Sequence, residues 1–371
     1  MKKRLLLVLL LAGLLCFPAS IVFAADGIDF GGALRVQYNY NDWNESSKDK
    51  VGDFDLDTFR LNMDGEISEM ILSAEYRFYP QYDTNFPHHG WIGYNFTENW
   101  QGQIGLHQVP FGIQPYASHN FWFSGAYYVG LEDDYDMGVK ALYNKGPLDL
   151  SFAFYKNAEL SGSTGRYSID VVDTGSNEET NQGNIRAAYT FTHSDSASTE
   201  FGISGEYGGL RNSTTGDIGD HYAGAVHMVG NYGPWNIQLE GIQYEYDPEN
   251  PATGNDDVIN VGGYSFDWEI PAEATIGTFN VAYGLPVDIG PISKLTFYSD
   301  NTVIEPDSDQ FNTIWQNVVG TMITSGPVYT YVDVISAENM AFMGGNMVGP
   351  EAAWQGSGRN TRVNINVGYY F

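Results

Sequence analysis

The residues best able to act by charge come from both ends of the chain and from its first third. Arg35, Arg60, Arg77 and Arg362 each lie in an alternating stretch, on the parity that carries polar side chains. A run of acids, Glu132, Asp133, Asp134 and Asp136, lies within a stretch, 110–139, that holds no Lys or Arg; Lys140 follows it directly. Cations on one side of a narrow gap and carboxylates on the other would set up a transverse field. Such a field orients polar solutes, and a low-dielectric wall strengthens it. The competing assignment pairs Arg35, Arg60 and Arg77 with nearby acids such as Asp64, Glu66 and Glu75, so that the charges only hold a wall together.

Bond-breaking chemistry has little to work with. His88, His89, His107, His119, His193, His221 and His227 show no His-Glu-x-x-His spacing. Gly202-Ile203-Ser204-Gly205 comes within one residue of a Gly-x-Ser-x-Gly elbow, but reads better as a glycine-rich strand. His107 or His227 could serve a Ser or Asp, yet no motif places one beside them. The single Cys16 falls in an N-terminal leader, which removes disulfides, thiolate metal sites and cysteine nucleophiles from the mature chain. No enzyme activity and no cofactor are expected.

The leader is read from Lys2, Lys3 and Arg4, an apolar run from Leu5 to Leu15, and small residues at Val22 and Ala24. The run is too short to span a bilayer as a helix. Cleavage is expected after Ala24, leaving 25–371 as one exported domain. The leader carries those three cations and no acid, so its loss takes the net charge from −29 to −32. That balance argues against nucleic acid, whose phosphates need a basic face.

Beyond the leader, side-chain character alternates with period two. In 28–40, Ile28, Phe30, Leu34, Val36, Tyr38 and Tyr40 share one parity, and Asp29, Arg35, Gln37 and Asn39 share the other. The same split recurs at 59–67, 72–79, 148–154, 185–191 and 201–207. A strand separates such residues to two faces, whereas a helix would scatter them. A soluble sandwich also alternates. Three further features favour a membrane barrel. The polar parity is rich in Gly, Asn, Gln, Ser and charge, as a wet lumen requires. Aromatic residues crowd the strand ends (Tyr38, Tyr40, Phe78, Tyr79, Tyr207, Tyr244, Tyr246, Tyr369 and Tyr370), as interfacial girdles would. Short connections alternate with long ones. The short ones are 68–69, 97–99, 144–147, 231–234 and 325–327, three of them with Gly-Pro. The long ones are 41–53, 80–89, 110–134, 156–182, 208–220, 247–274 and 335–357.

These features predict an all-β fold, a transmembrane antiparallel barrel with short periplasmic turns and long extracellular loops. The raw count is 17 strands. Both termini belong at the short-turn end, so the number must be even, and placing 258–268 in a long loop gives 16, with 18 as the fallback. Strand 16 would close on strand 1, making one basic patch of Arg35, Arg60, Arg77 and Arg362, with Lys140 close to the acids. The outer segments carry Asp42, Glu45, Asp53, Asp173, Glu178, Glu179, Asp217, Asp220, Asp247, Glu249, Asp256 and Asp257. These could hold Ca²⁺ or Mg²⁺ against lipopolysaccharide phosphates, or bias an entrance towards cations. Counting back from Phe371, apolar residues recur at every second place through Tyr369, Val367, Ile365 and Val363, like a terminal signal for barrel assembly.

The stretches 59–66 (FRLNMDGE), 104–112 (IGLHQVPFG) and 360–371 resemble the phosphate-selective porin O and P family. The resemblance implies a 16-stranded trimeric porin of a Gram-negative outer membrane. Its third outer loop, here 110–134, would fold into the lumen. Phosphate selectivity is not carried over, because members line that region with Arg and Lys. The expected function is passive diffusion of small hydrophilic solutes or ions. Tyr116, Phe121, Trp122, Phe123, Tyr127 and Tyr128 could stack on sugar rings or pack the loop onto the wall. The rivals are a plugged structural or adhesive barrel or partner sheath, and an exported soluble all-β binding protein.

Overall fold

The structure, a computed structural model, describes residues 27–160, 163–248, 256–349 and 358–371. The expected leader, Cys16 and Glu249 lie outside the described residues.

Sixteen strands close into one barrel in which every pair is antiparallel. In chain order they begin with β1 (Ile28–Asn41), β2 (Asp53–Ile67), β3 (Met70–Tyr79), β4 (Thr84–Asn95), β5 (Trp100–Gln108), β6 (Tyr135–Lys145) and β7 (Leu148–Ala158). After β8 (Asp170–Val171), which lies outside the barrel, come β9 (Asn177–Ser194), β10 (Ala197–Asn212), β11 (Ile218–Tyr232) and β12 (Trp235–Asp247). Then β13 (Val258–Gly263) and β14 (Phe266–Pro271) join β8 in a separate three-stranded sheet. The barrel resumes with β15 (Glu273–Ile289), β16 (Ile292–Pro306), β17 (Ile314–Ser325), β18 (Val328–Glu338) and β19 (Asn360–Tyr370). The count of 16 is therefore correct, and the strand-like stretch near 258–268 does belong to a loop.

The oily parity faces outward. Phe30, Leu34, Leu61, Ile104, Ile203, Val226 and Val319 are all exposed on the outer wall. No second layer covers them, which excludes the sandwich that a soluble binding protein would need. The polar parity lines the inside, where Gln37, Asn39, Asn280, Asp300, Asn364 and Asn366 are buried. Closure leaves no sheet edge for lipid to contact.

Turn chemistry sets the short end. Gly146, Gly233 and Gly326 each have φ near +60° and are followed by proline in a two-residue hairpin loop. Glycine takes positive φ without a Cβ clash, and proline supplies the second φ. A fourth Gly-Pro, Gly290-Pro291, makes the same turn between β15 and β16 and was not singled out in the sequence reading.

Two expectations are corrected. Two connections expected to be long are short: only 80–83 separate β3 from β4, which starts at Thr84, and only 213–217 lie between β10 and β11 within the expected 208–220. The aromatic girdle is also differently composed. Tyr207 and Tyr369 do face outward, but Tyr79, Tyr244 and Tyr246 are buried inside, where loops descend onto them. A short helix, α1 (Glu45–Lys50), capped by the Asn44 side chain, also occupies the first long connection.

The last strand closes the barrel on β1, from Ala33 opposite Tyr370 to Asn41 opposite Arg362. Phe371 continues the ladder with Gly32: its N–H donates to the Gly32 carbonyl at 3.1 Å and its carbonyl accepts from Gly32 at 2.9 Å. Deleting Phe371 is expected to lower sharply the yield of folded barrel, read as the fraction of heat-shifted protein on a gel after membrane extraction. Unchanged yield would show that the terminal residue contributes only its two hydrogen bonds.

Candidate functional site

The site is built by the third connection at the long-loop end, 109–134, which turns into the barrel and crosses it. Its first arm meets the wall at Gly112, whose φ of +56° places the backbone against the Glu240 carboxylate where a Cβ would collide. The Gly112 N–H donates to Ser204 Oγ (2.9 Å) and its carbonyl accepts from Arg186 Nε (2.9 Å). Ile113 N–H donates to Glu240 Oε1 (2.7 Å). Farther along, Asn280 Nδ2 donates to the Ala117 carbonyl (2.6 Å).

The tip is held chiefly by Asp300 on β16. This carboxylate accepts His119 N–H (2.7 Å), Asn120 N–H (3.0 Å), Asn120 Nδ2 (2.7 Å) and His119 Nδ1 (2.7 Å). Phe121 N–H donates to Asp333, Gly125 N–H to Thr302, and Gln316 Nε2 to the Phe123 carbonyl. The sequence reading missed these wall residues. Only inward parity marked them, and parity does not say where a loop 180 residues away will land.

Facing the tip is the basic wall. β19, β1, β2 and β3 are neighbours, so Arg362, Arg35, Arg60 and Arg77 do share one side of the lumen. Each is also paired or stacked. Arg35 meets Asp57 at 2.9 Å, and Glu75 takes Arg77 at 2.5 Å and Arg60 at 3.4 Å. Arg362 bonds Asn39 and lies 4.1 Å over the Trp122 ring, and Arg35 lies 4.9 Å over Phe121. Cation–π contact thus ties the loop tip to the arginines. Of the acids named as wall partners, Glu75 serves; Asp64 instead accepts from Ser73, and Asp57 was not foreseen.

The acids of 132–136 do not act as one group. Glu132 folds the loop on itself, accepting from Ala117 N–H, Ser124 N–H and Ser124 Oγ. Burial pushes its carboxyl up to about 8, so near neutral pH it is largely protonated. Asp133 faces the central cavity and accepts from the Tyr167 hydroxyl (2.6 Å) and Gln108 Nε2 (3.2 Å). Asp134 and Asp136 turn away into a separate carboxylate cluster. Lys140 is not beside these acids: its register partners are Gln103 and Ala153, and its Nζ donates to the Gln108 carbonyl (2.7 Å).

Between the loop and the basic wall lies a cavity of about 480 Å³. Arg35, Arg60, Arg77, Asp57 and Asp133 supply its charge, and tyrosines such as Tyr79, Tyr167, Tyr264 and Tyr331 supply much of its surface. A second cavity of about 270 Å³ lies on the other side of the loop, against Glu200, Gln238 and Thr190. Tyr116 and Ser118 border both, so the two meet at the first arm of the loop. Most loop aromatics pack rather than present a free face. Phe123 stacks on Tyr127 at 4.5 Å, and Tyr128 meets Phe342. Tyr116 remains partly exposed. Of the two histidines named as able to serve a Ser or Asp, His107 bonds Tyr155, and His227 faces Glu200 and Arg186.

Burial pushes the Asp133 carboxyl up to about 6, while the Tyr167 hydroxyl and Arg77 pull it down. The raised value means that the protonated form favours the fold, with that contribution full below the ordinary value near 3.8 and lost as pH rises through about 6. Raising pH from about 5 to about 7 therefore adds a negative charge opposite Arg77. Ion selectivity is expected to move towards cations over that window, and Asp133→Asn is expected to abolish the shift. Reversal potentials across a KCl gradient provide the measurement.

No protein-family model matches the chain, and no curated protein matches it in sequence. Solved structures do match in shape. The outer-membrane channel DcaP of Acinetobacter baumannii is 14% identical, with 96% of this chain and 100% of that chain covered and a TM-score of 0.60. The trimer form of OmpT, an outer membrane protein of Vibrio cholerae, is 13% identical over 93% and 99%, at 0.59. An anion-selective porin from Comamonas acidovorans is 12% identical over 93% and 99%, at 0.56. The chain therefore has the 16-stranded closed barrel fold of outer-membrane porins.

Proposed function

We propose that this protein is an outer-membrane channel, not an enzyme, through which small hydrophilic solutes or ions diffuse passively. On this reading 1–24 is a cleaved leader, 25–371 is the barrel, and the Gly-Pro turns lie on the periplasmic side of a Gram-negative outer membrane. The carrying observation is the loop 109–134 laid across a polar lumen, facing Arg35, Arg60 and Arg77 over a charged cavity and seated through Trp122 on Arg362. We assign these arginines to the constriction. Asp133 is the loop acid proposed to oppose them, while Lys140 would line the lumen below. The porin neighbours support the channel reading, and the trimer form of OmpT supports a homotrimer. Kinship with the phosphate-selective O and P porins is proposed for the pore alone, since the loop brings no cation of its own. Exposed acids at the long-loop end, such as Asp217, would meet lipopolysaccharide through divalent cations.

Purified protein in planar bilayers tests the proposal. Stepwise conductance is expected, with liposome swelling by sugars, amino acids and phosphate ranking the solutes. One observation favours a plugged barrel instead: Trp122 and Phe121 seat directly on Arg362 and Arg35. A folded barrel without conductance steps would select that second reading.

A further inference from the structure

Behind the third loop, away from the central cavity, five carboxylates converge. Asp134 ends the loop, Asp136 opens β6, Glu159 follows β7, Asp170 lies on β8 and Glu179 opens β9. Asp134, Glu159 and Asp170 each offer an oxygen, all within 4.8 Å of one another. Asp136, Asp170 and Glu179 do the same, so Asp170 belongs to both triads. Among the described residues, Arg166 is the one cation with an ion pair in this group, meeting Asp170 at 2.7 Å. Its Nε and Nη2 donate to the carbonyls of Ser163 and Leu160.

A second observation shows that the group is incomplete as protein alone. Asp136 is 1% exposed and its Oδ1 has no hydrogen-bond partner; Glu159 is 6% exposed and its Oε2 has none. Glu159 Oε1 is already taken, accepting from Tyr167 N–H (2.8 Å) and Ser168 N–H (2.9 Å). Buried acceptors are normally satisfied, and buried carboxylates facing each other repel unless a proton or a cation joins them. One guanidinium does not balance five carboxyl groups.

We propose that this cluster is a Ca²⁺ site, with Asp170 as the shared ligand and Asp134, Asp136, Glu159 and Glu179 completing it. The donors are all oxygen, which selects a hard cation. Calcium–oxygen bonds of about 2.3–2.6 Å put the ligands of one ion within about 5 Å of each other, as both triads are. Calcium also accepts irregular, carboxylate-rich shells, whereas magnesium prefers to keep its water. The ligands come from the base of the third loop, two barrel strands and the β7–β9 connection. A bound ion would therefore pin the loop that crosses the lumen to the sheet of β8, β13 and β14. This inference does not depend on whether the barrel conducts.

The test uses the full-length purified barrel in detergent, stripped with EDTA, dialysed and titrated with CaCl₂ in a calorimeter. Thermal unfolding is followed in parallel with CaCl₂ or EDTA. Saturable Ca²⁺ binding and a higher unfolding temperature with CaCl₂ are expected. Asp170→Asn should lose both, and Glu159→Gln should weaken binding by more than about tenfold, the lower bound for losing even an outer-shell partner. Glu98→Gln, on the exposed β4–β5 turn at the opposite end of the barrel, should bind as the parent does. Heat-shifted gel migration confirms that each variant is folded. If Asp170→Asn does not fold, Glu159→Gln decides by the same readouts. Absence of Ca²⁺ uptake by the stripped parent, or parental affinity in a folded Asp170→Asn or Glu159→Gln barrel, would overturn the site.

Discussion

Replacing Asp300 by alanine is expected to raise single-channel conductance severalfold and to blunt ion selectivity, with the barrel still folded. One carboxylate, 2% exposed, accepts four hydrogen bonds from His119 and Asn120. Hydrogen bonds to charged groups contribute about 1.5–3 kcal/mol each, so losing the acceptor costs the loop several kcal/mol even without full additivity. The cost falls on the loop because β16 keeps its ladders with β15 and β17. Released from β16, the tip can leave the lumen, and its aromatic contacts with Arg35 and Arg362 leave with it. Asp300→Asn keeps an acceptor and should show a smaller increase. Conductance steps and reversal potentials in planar bilayers provide the readout. A folded Asp300→Ala barrel with parental conductance would mean that Glu240 and Asp333 hold the loop without help.

The second large effect concerns the basic wall. In the triple variant Arg35→Gln, Arg60→Gln and Arg77→Gln, the cavity keeps Asp57 and Asp133 and loses three cations. Its sign therefore reverses, with Arg362 alone remaining on that wall. The anion-to-cation permeability ratio is expected to fall about tenfold, the low end of what a focused field produces. Substitution by Lys at the same positions should keep most of the selectivity while losing the Nε–H that Arg77 donates to Glu75. The difference should shrink in about 1 M KCl, where screening acts within about 3 Å. The ion pairs at 2.5–3.4 Å make the alternative concrete: wall glue predicts poor folding of the glutamine variant and unchanged selectivity in what folds.

These two predictions stand on different kinds of knowledge. The arginine wall follows from pattern. Period two gives the inward parity of Arg35, Arg60, Arg77 and Arg362, and an even strand count forces β19 onto β1. Local rules govern both, because a strand's faces are set by its own residues and its turns by two or three more. The fold was legible for the same reason, down to the exclusion of 258–268 from the barrel.

The loop is another matter. Its acids form a single block in sequence, 132–136, yet they part into three environments: Glu132 within the loop, Asp133 towards the cavity, and Asp134 with Asp136 towards Asp170. No local pattern encodes that division, since it depends on which wall the loop reaches and on partners far away in the chain. Tyr79, Tyr244 and Tyr246 left the girdle on the same account, their parity placing them inward where descending loops bury them.

By itself, then, the sequence determined a closed sheet with an oily outside, a wet inside and a basic strip across its seam. Alternation and turn residues act over a few positions, and lipid tolerates no open edge. Only the tertiary structure decided that Asp300 anchors the crossing loop, that aromatic rings cap the arginines, and that five carboxylates meet around Asp170. Contacts of that kind arise between segments brought together by closure, and their energies are set by burial that the linear chain does not express.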